Sequence, residues 1–251
     1  YADRLYQLPL GVVATAIGVV LLPDLSRRLR AGDEEGGRAS FNRGAEFALF
    51  LTLPAAVALV VIAMPLISVL YQRGAFGADD TANTALVLAA YGLGLPAFVL
   101  QKMLQPLYYA REDTKRPFQY ALVSMLVNVG FAVGMMPVMG FVAAALATTV
   151  SAWVMVWQLW RGTRNMGSAA QLDARFRKRF PRILLSCVVM GAVLFGAAIV
   201  LGPMLGTPGW RNLGLALLVG VGMAAYFVAA ALTGAFSPAD IRASVKRQPK
   251  P

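Results

Sequence analysis

The sequence predicts an all-α membrane protein, a polytopic bundle of seven transmembrane helices. Three observations carry that expectation. The 251 residues are 58% hydrophobic and only 14% charged, with a mean hydropathy of +0.63, whereas a soluble domain carries about 25% charged residues. Long runs are free of any charge. Finally, 19 of the 23 Lys and Arg residues fall in alternate gaps between those runs.

The spans follow in order. The first runs from Asp3 to Leu25, with Leu5 to Pro23 uncharged, and the second is the charge-free stretch Phe47–Gln72. The third covers Ala82 to Ala110, interrupted only by Lys102. Pro117 to Trp160 is again uncharged. As one helix it would measure about 65 Å at 1.5 Å per residue, about twice a bilayer core, so it must fold back. The turn residues Pro137-Val-Met-Gly140 divide it into a fourth span, Phe118–Met136, and a fifth, Phe141–Trp160. The sixth is Ile183–Gly202. A turn rich in Pro and Gly, Pro203–Trp210, leads to the seventh, Arg211–Gly234, and a basic tail.

The gaps after the first, third, fifth and seventh spans hold the 19 basic residues, and those after the second, fourth and sixth hold only Arg73 and Arg211. Basic loops are retained in the cytoplasm. The C-terminus is therefore expected there, with Tyr1 toward the outer face. The two remaining cations, Arg4 and Lys102, lie within spans.

Composition also excludes. There is no His and one Cys, Cys187, so an internal disulfide and a Cys/His zinc site are ruled out. A net charge of +11 would suit nucleic acid, but the basic residues flank apolar spans and no nucleic-acid partner is expected. Anionic lipid headgroups are the simpler partner. Acidic residues, Asp3 apart, fall in loops or near span ends, which argues against an intramembrane enzyme. No cofactor is expected. The chain enters a helical pattern at Tyr1, and it is expected to be the C-terminal part of a longer protein.

The spans are punctuated by Leu-Pro pairs at Pro9, Pro54 and Pro96, and Pro-interrupted helices line cavities in transporters. Gly130-x-x-x-Gly134, with Ala14 and Gly18, would permit close helix contact.

Three segments are more specific than hydropathy: Tyr1-Ala-Asp-Arg-Leu-Tyr-Gln-Leu-Pro-Leu-Gly11 leading into Leu21-Leu-Pro-Asp-Leu-Ser-Arg27, then Tyr71-Gln-Arg-Gly-Ala-Phe76, then Tyr108-Tyr-Ala-Arg-Glu-Asp-Thr-Lys-Arg-Pro117. In this order and spacing they resemble the MurJ/MviN family of lipid II flippases, within the multidrug/oligosaccharidyl-lipid/polysaccharide exporter superfamily. The resemblance implies fourteen spans in the whole protein, of which this chain supplies spans eight to fourteen. Residues 1–182 would then be five helices of a second lobe. Residues 183–251 would be the two helices of a lipid-tail groove plus the tail, and an N-terminal lobe is missing. The implied function is movement of the undecaprenyl-pyrophosphate-linked peptidoglycan precursor, lipid II, across the membrane by alternating access during cell wall biogenesis. An exporter of another lipid-linked saccharide, or of drugs, is the alternative.

A pyrophosphate calls for guanidinium groups, whose planar fork matches phosphate oxygens. Arg4 falls on the family's cavity arginine. An Arg at mid-depth costs about 2.5–3.5 kcal/mol, so either it serves a cavity or it snorkels to the headgroups. Lys102 either faces that cavity, with Gln101 and Gln105, or bonds another helix. Asp3, Arg73, Arg111 and Asp113 are motif residues, the last two with ion pairs that brace helix ends. Asn128 and Thr148 match helices that hold sodium in some family members, but Ala132 stands where a carboxylate is needed, so interhelical bonding is the better reading.

Overall fold

In a computed structural model, residues 1–18, 22–164 and 166–235 are described. The basic tail, with Arg242, Lys246, Arg247 and Lys250, lies outside them. Among the described residues there is no strand. Among them, six helices are long and apolar enough to cross a membrane. The ends of the bundle are distinguished below as the basic end and the far end, according to loop charge.

Helix α1, Ala2–Ala16, occupies the first expected span, and a separate helix α2, Leu22–Arg30, follows. The residues that would join them, 19–21, lie outside the described ones, so the first expected span is described as two helices. The charge-free stretch ends at Pro23, and all but the first two residues of α2 lie beyond it, as an amphipathic helix. Its Leu25 is fully buried, while Asp24 pairs with Arg27 at 2.7 Å and Arg28 at 2.9 Å.

The second span differs from expectation in its start and in an internal break. Helix α3 covers Glu34–Val61, and α4 covers Ala63–Tyr71. The start comes earlier because Asp33 caps it, accepting a hydrogen bond from the Gly36 amide at 2.8 Å, with Glu34 and Glu35 in the first turn. Acidic residues and a side-chain cap satisfy the free N–H groups there. The break at Ile62 has an equally local cause. Pro65 has no N–H to offer the Val61 carbonyl, and Ile62 leaves the helical region at φ −112°, ψ 25°.

Helix α5, Ala78–Tyr109, is the hub, packed against α1, α3, α4 and α7. Polar bonds join it to α7, Val142–Thr163. Thr149 donates to the Ala90 carbonyl at 2.7 Å, Gln101 to Ala152 at 2.9 Å and Tyr108 to Leu159 at 2.6 Å. In an apolar interior each such bond is worth about 0.6 kcal/mol on average. Helix α6, Lys115–Met139, packs chiefly on α7 and is otherwise exposed. The reversal between them rests on Gly140 at φ +56°, a conformation open to Gly, while Pro137 belongs to the last turn of α6.

Helix α8, Ala174–Val200, packs on α3; the short α9, Gly202–Gly206, makes the turn, and α10, Arg211–Leu232, packs on α8. Tyr226 of α10 donates to the Phe50 carbonyl of α3 at 2.6 Å. The Gly130/Gly134 pair was expected to seat a helix, yet a Cβ at either position would meet nothing within 4 Å, and the same holds for Gly18.

Candidate functional site

Helix α1 has two unlike faces. Ala2 and Val13 are buried, and Tyr6 stacks on Tyr91 and Phe98 of α5, with ring centroids 4.7 and 5.7 Å away. Asp3, Arg4, Gln7, Leu8, Gly11, Val12 and Thr15 are exposed. At 100° per residue, Asp3, Gln7, Gly11, Arg4 and Thr15 fall within one sector about 120° wide. Leu8 and Val12 lie beside it. A surface meant for hydrocarbon would be apolar throughout; this sector of α1 is polar or glycine apart from half-buried Ala14.

Within it, Gln7 donates to the Asp3 carboxylate. Asp3 and Arg4 project about 100° apart, and Arg4 makes no side-chain hydrogen bond or ion pair among the described residues. Its depth is bracketed by two contacts. The Tyr1 ring meets Tyr71 at 5.0 Å and Phe76 at 5.7 Å, at the far end. Tyr6 meets Tyr91, about 20 Å along α5 from Ala78. Arg4 therefore lies between those levels, in the far half of the bundle rather than at mid-depth.

Lys102 is exposed and has no partner among the described residues. It lies one turn past Phe98 on the α5 stripe Tyr91, Phe98, Lys102, Gln105, and so on the flank that α1 occupies. Gln101 is turned the other way, bonded to α7, and is not part of a polar stripe with Lys102. Arg73 is exposed at the far end and donates to the Leu70 carbonyl at 2.9 Å. With Tyr1, Tyr71, Phe76 and Asp80 it lines an open recess of about 580 Å³.

The inner-loop motif braces helix ends. Arg111 pairs with Glu34 at 3.0 Å, and Asp113 accepts from the Arg116 amide at 3.1 Å and pairs with its guanidinium at 3.4 Å. Asn128 reaches Thr148 at 3.4 Å and Ser151 at 3.3 Å, an α6–α7 bridge of long hydrogen bonds.

Sequence reasoning passed over the polar start of α3. There, fully buried Asn42 donates to the Gln171 carbonyl at 2.9 Å and accepts from the Asp173 amide at 3.0 Å, and Arg38 donates to the Leu172 carbonyl at 3.1 Å. Buried Glu46 holds Arg175 and Arg179, each at 3.3 Å. Together these contacts strap the loop between α7 and α8, and the first turns of α8, onto α3. The run Asp33-Glu-Glu is the helix-start signal that would have exposed this segment.

Residues 1–207 match the family model described as "Lipid II flippase MurJ". The chain belongs to this family. A probable lipid II flippase MurJ from Rhizobium tropici is 43% identical over 251 residues, covering 99% of this chain and 47% of the relative. One from Vibrio cholerae is 34% identical over 239 residues, covering 93% and 45%. The solved structure "Lipid II flippase MurJ, inward closed conformation" superposes with a TM-score of 0.74 at 25% identity, covering 92% of this chain and 45% of that one. The chain thus spans about half the length of the curated MurJ relatives it matches. MurJ membership makes it a membrane protein of a transporter family, and the polar sector of α1 lies within the matched residues.

Proposed function

We propose that this chain is the second half of a lipid II flippase. It would move the undecaprenyl-pyrophosphate-linked precursor from the inner to the outer leaflet, with no catalytic step. The observation that supports this reading is the guanidinium of Arg4, unpaired among the described residues, on a largely polar helix sector turned away from its own bundle. Arg4 would hold the pyrophosphate, because a planar fork engages two phosphate oxygens. Lys102 would add a second positive charge on the same flank. Asp3, held by Gln7, leaves Arg4 free for the substrate rather than neutralising it.

A preceding lobe would supply the facing wall of the cavity, and the two lobes would rock about it. Residues 1–182 would form this lobe. The α8–α10 hairpin would guide the polyprenyl tail, which stays in lipid while the headgroup crosses. Asp113 and Arg111 would brace the basic loops, placed in the cytoplasm by their charge. Arg73 would close the far-end loop over Tyr1. Asn128 and Thr148 would serve packing rather than a sodium ion. A guanidinium reads only the pyrophosphate common to all such lipid-linked saccharides, so selectivity for the peptide headgroup would reside in other groups.

The test is complementation of a flippase-depleted strain by the full-length protein. Arg4→Ala should abolish growth with membrane insertion intact. Arg4→Lys should restore it only in part, because a point charge loses the bidentate fit. Growth at the wild-type rate with Arg4→Ala would remove Arg4 from the mechanism.

A further inference from the structure

A second basic site lies outside the α1 sector, at the basic end of the α6–α7 pair. Arg116 and Tyr120 of α6 and Trp157, Gln158 and Arg161 of α7 line an open recess of about 440 Å³. The Arg161 guanidinium sits 5.5 Å from the Trp157 ring centroid, a cation–π geometry, and has no carboxylate partner among the described residues. Arg116 meets Asp113 through Nε at 3.4 Å, and no hydrogen bond from its terminal nitrogens is found among the described residues. The recess therefore presents two guanidinium groups, a phenol and an amide against a single carboxylate.

We propose that this recess binds the anionic headgroup of a membrane glycerophospholipid. The orientation of α7 favours a lipid over a soluble phosphate. Its Thr149, Ala152 and Leu159 face α5, and Ser151 faces α6. Trp157 and Arg161 project from the remaining side, where Trp157 is 60% exposed. That side is left uncovered by the described residues, as is the exposed apolar surface of α6. From the recess toward the far end the same stripes continue as Val123 and Val127 on α6 and Val154 and Val150 on α7, all exposed or half-buried. This apolar groove would take an acyl chain. An indole beside a basic cluster at a span end is the side-chain pairing of the headgroup level.

Trp157 is also the reporter. The full-length protein is reconstituted in vesicles containing brominated phosphatidylglycerol or brominated phosphatidylcholine, and the quenching lost in Trp157→Phe isolates this indole. Phosphatidylglycerol should quench it at a lower mole fraction than phosphatidylcholine. Arg161→Gln should reduce that preference about fivefold, and Arg116→Gln with Arg161→Gln should bring it near the phosphatidylcholine level. Should the double variant fail to fold, the exposed Arg161→Gln decides alone. Equal quenching by both lipids, or an unchanged preference in the variants, overturns the proposal. Relief of quenching by millimolar glycerol 3-phosphate would also overturn it, in favour of a soluble phosphate site.

Discussion

Glu34 and Arg111, 77 residues apart in sequence, meet at 3.0 Å and tie three connections at the basic end together. Arg111 also donates to the Leu107 and Met166 carbonyls, while Glu34 accepts from the Ala169 amide at 3.0 Å. The start of α3, the end of α5 and the loop between α7 and α8 thus share one polar knot.

The two partners should not be equivalent. The Glu34 side chain is 44% exposed, so the ion pair itself is worth less than about 1 kcal/mol. Arg111→Ala leaves two carbonyls without their donor as well and should cost about 1–2 kcal/mol. Thermal unfolding in detergent measures both. A Glu34→Gln loss as large as that of Arg111→Ala would show that the carbonyl contacts contribute nothing.

Acid should loosen the same end of the bundle. Burial alone raises the Asp24 pKa, but hydrogen bonds from Ser40, Arg28 and Arg27 outweigh it and hold the carboxyl at about 2, against 3.8 ordinarily. A folded-state value below the unfolded one stabilises fully above about pH 4 and is lost as the pH falls toward 2. The effect is at most about 2 kcal/mol, and solvent screening lowers it. Asp24→Asn should flatten the stability profile between those values. An unchanged slope would assign the acid sensitivity to other groups.

Gly94 sets the approach of α5 to α7. A Cβ there would lie 2.7 Å from the Thr149 hydroxyl, which donates to Ala90. Gly94→Ala should therefore push Thr149 off its acceptor and cost about 1–3 kcal/mol. Combining it with Thr149→Ala should recover part of the loss. A double variant no more stable than Gly94→Ala would place the clash elsewhere.

Lys102 offers a cleaner separation of roles. With no partner among the described residues, Lys102→Met should leave the unfolding temperature unchanged. Transport of lipid II in reconstituted vesicles should nevertheless fall, though less than with Arg4→Ala. Unchanged transport would take Lys102 out of the cavity.

The helical class was legible in composition, and the order of spans in the charge-free runs, because a bilayer admits few alternatives. What escaped were features set by single residues. Pro65 divides one apolar run into α3 and α4, and hydropathy does not register a missing N–H. Asp33 starts α3 well before the apolar stretch, since a cap is local chemistry. Gly130 and Gly134 read as a contact motif, but sequence spacing does not say whether a neighbour is present. Arg4 was legible as an anomaly of charge. Its depth was not, because depth depends on how Tyr1 and Tyr6 pack against other helices.

The most direct measurement is the reactivity of single cysteines along α1 toward a charged, membrane-impermeant thiol reagent, in a Cys187→Ala background of the full-length protein. Arg4→Cys, Gln7→Cys and Gly11→Cys should react quickly and be protected by lipid II. Val129→Cys and Val133→Cys, on the exposed apolar face of α6, should stay inert. Reaction at position 4 as slow as at position 133 would put that side chain in lipid and contradict the account.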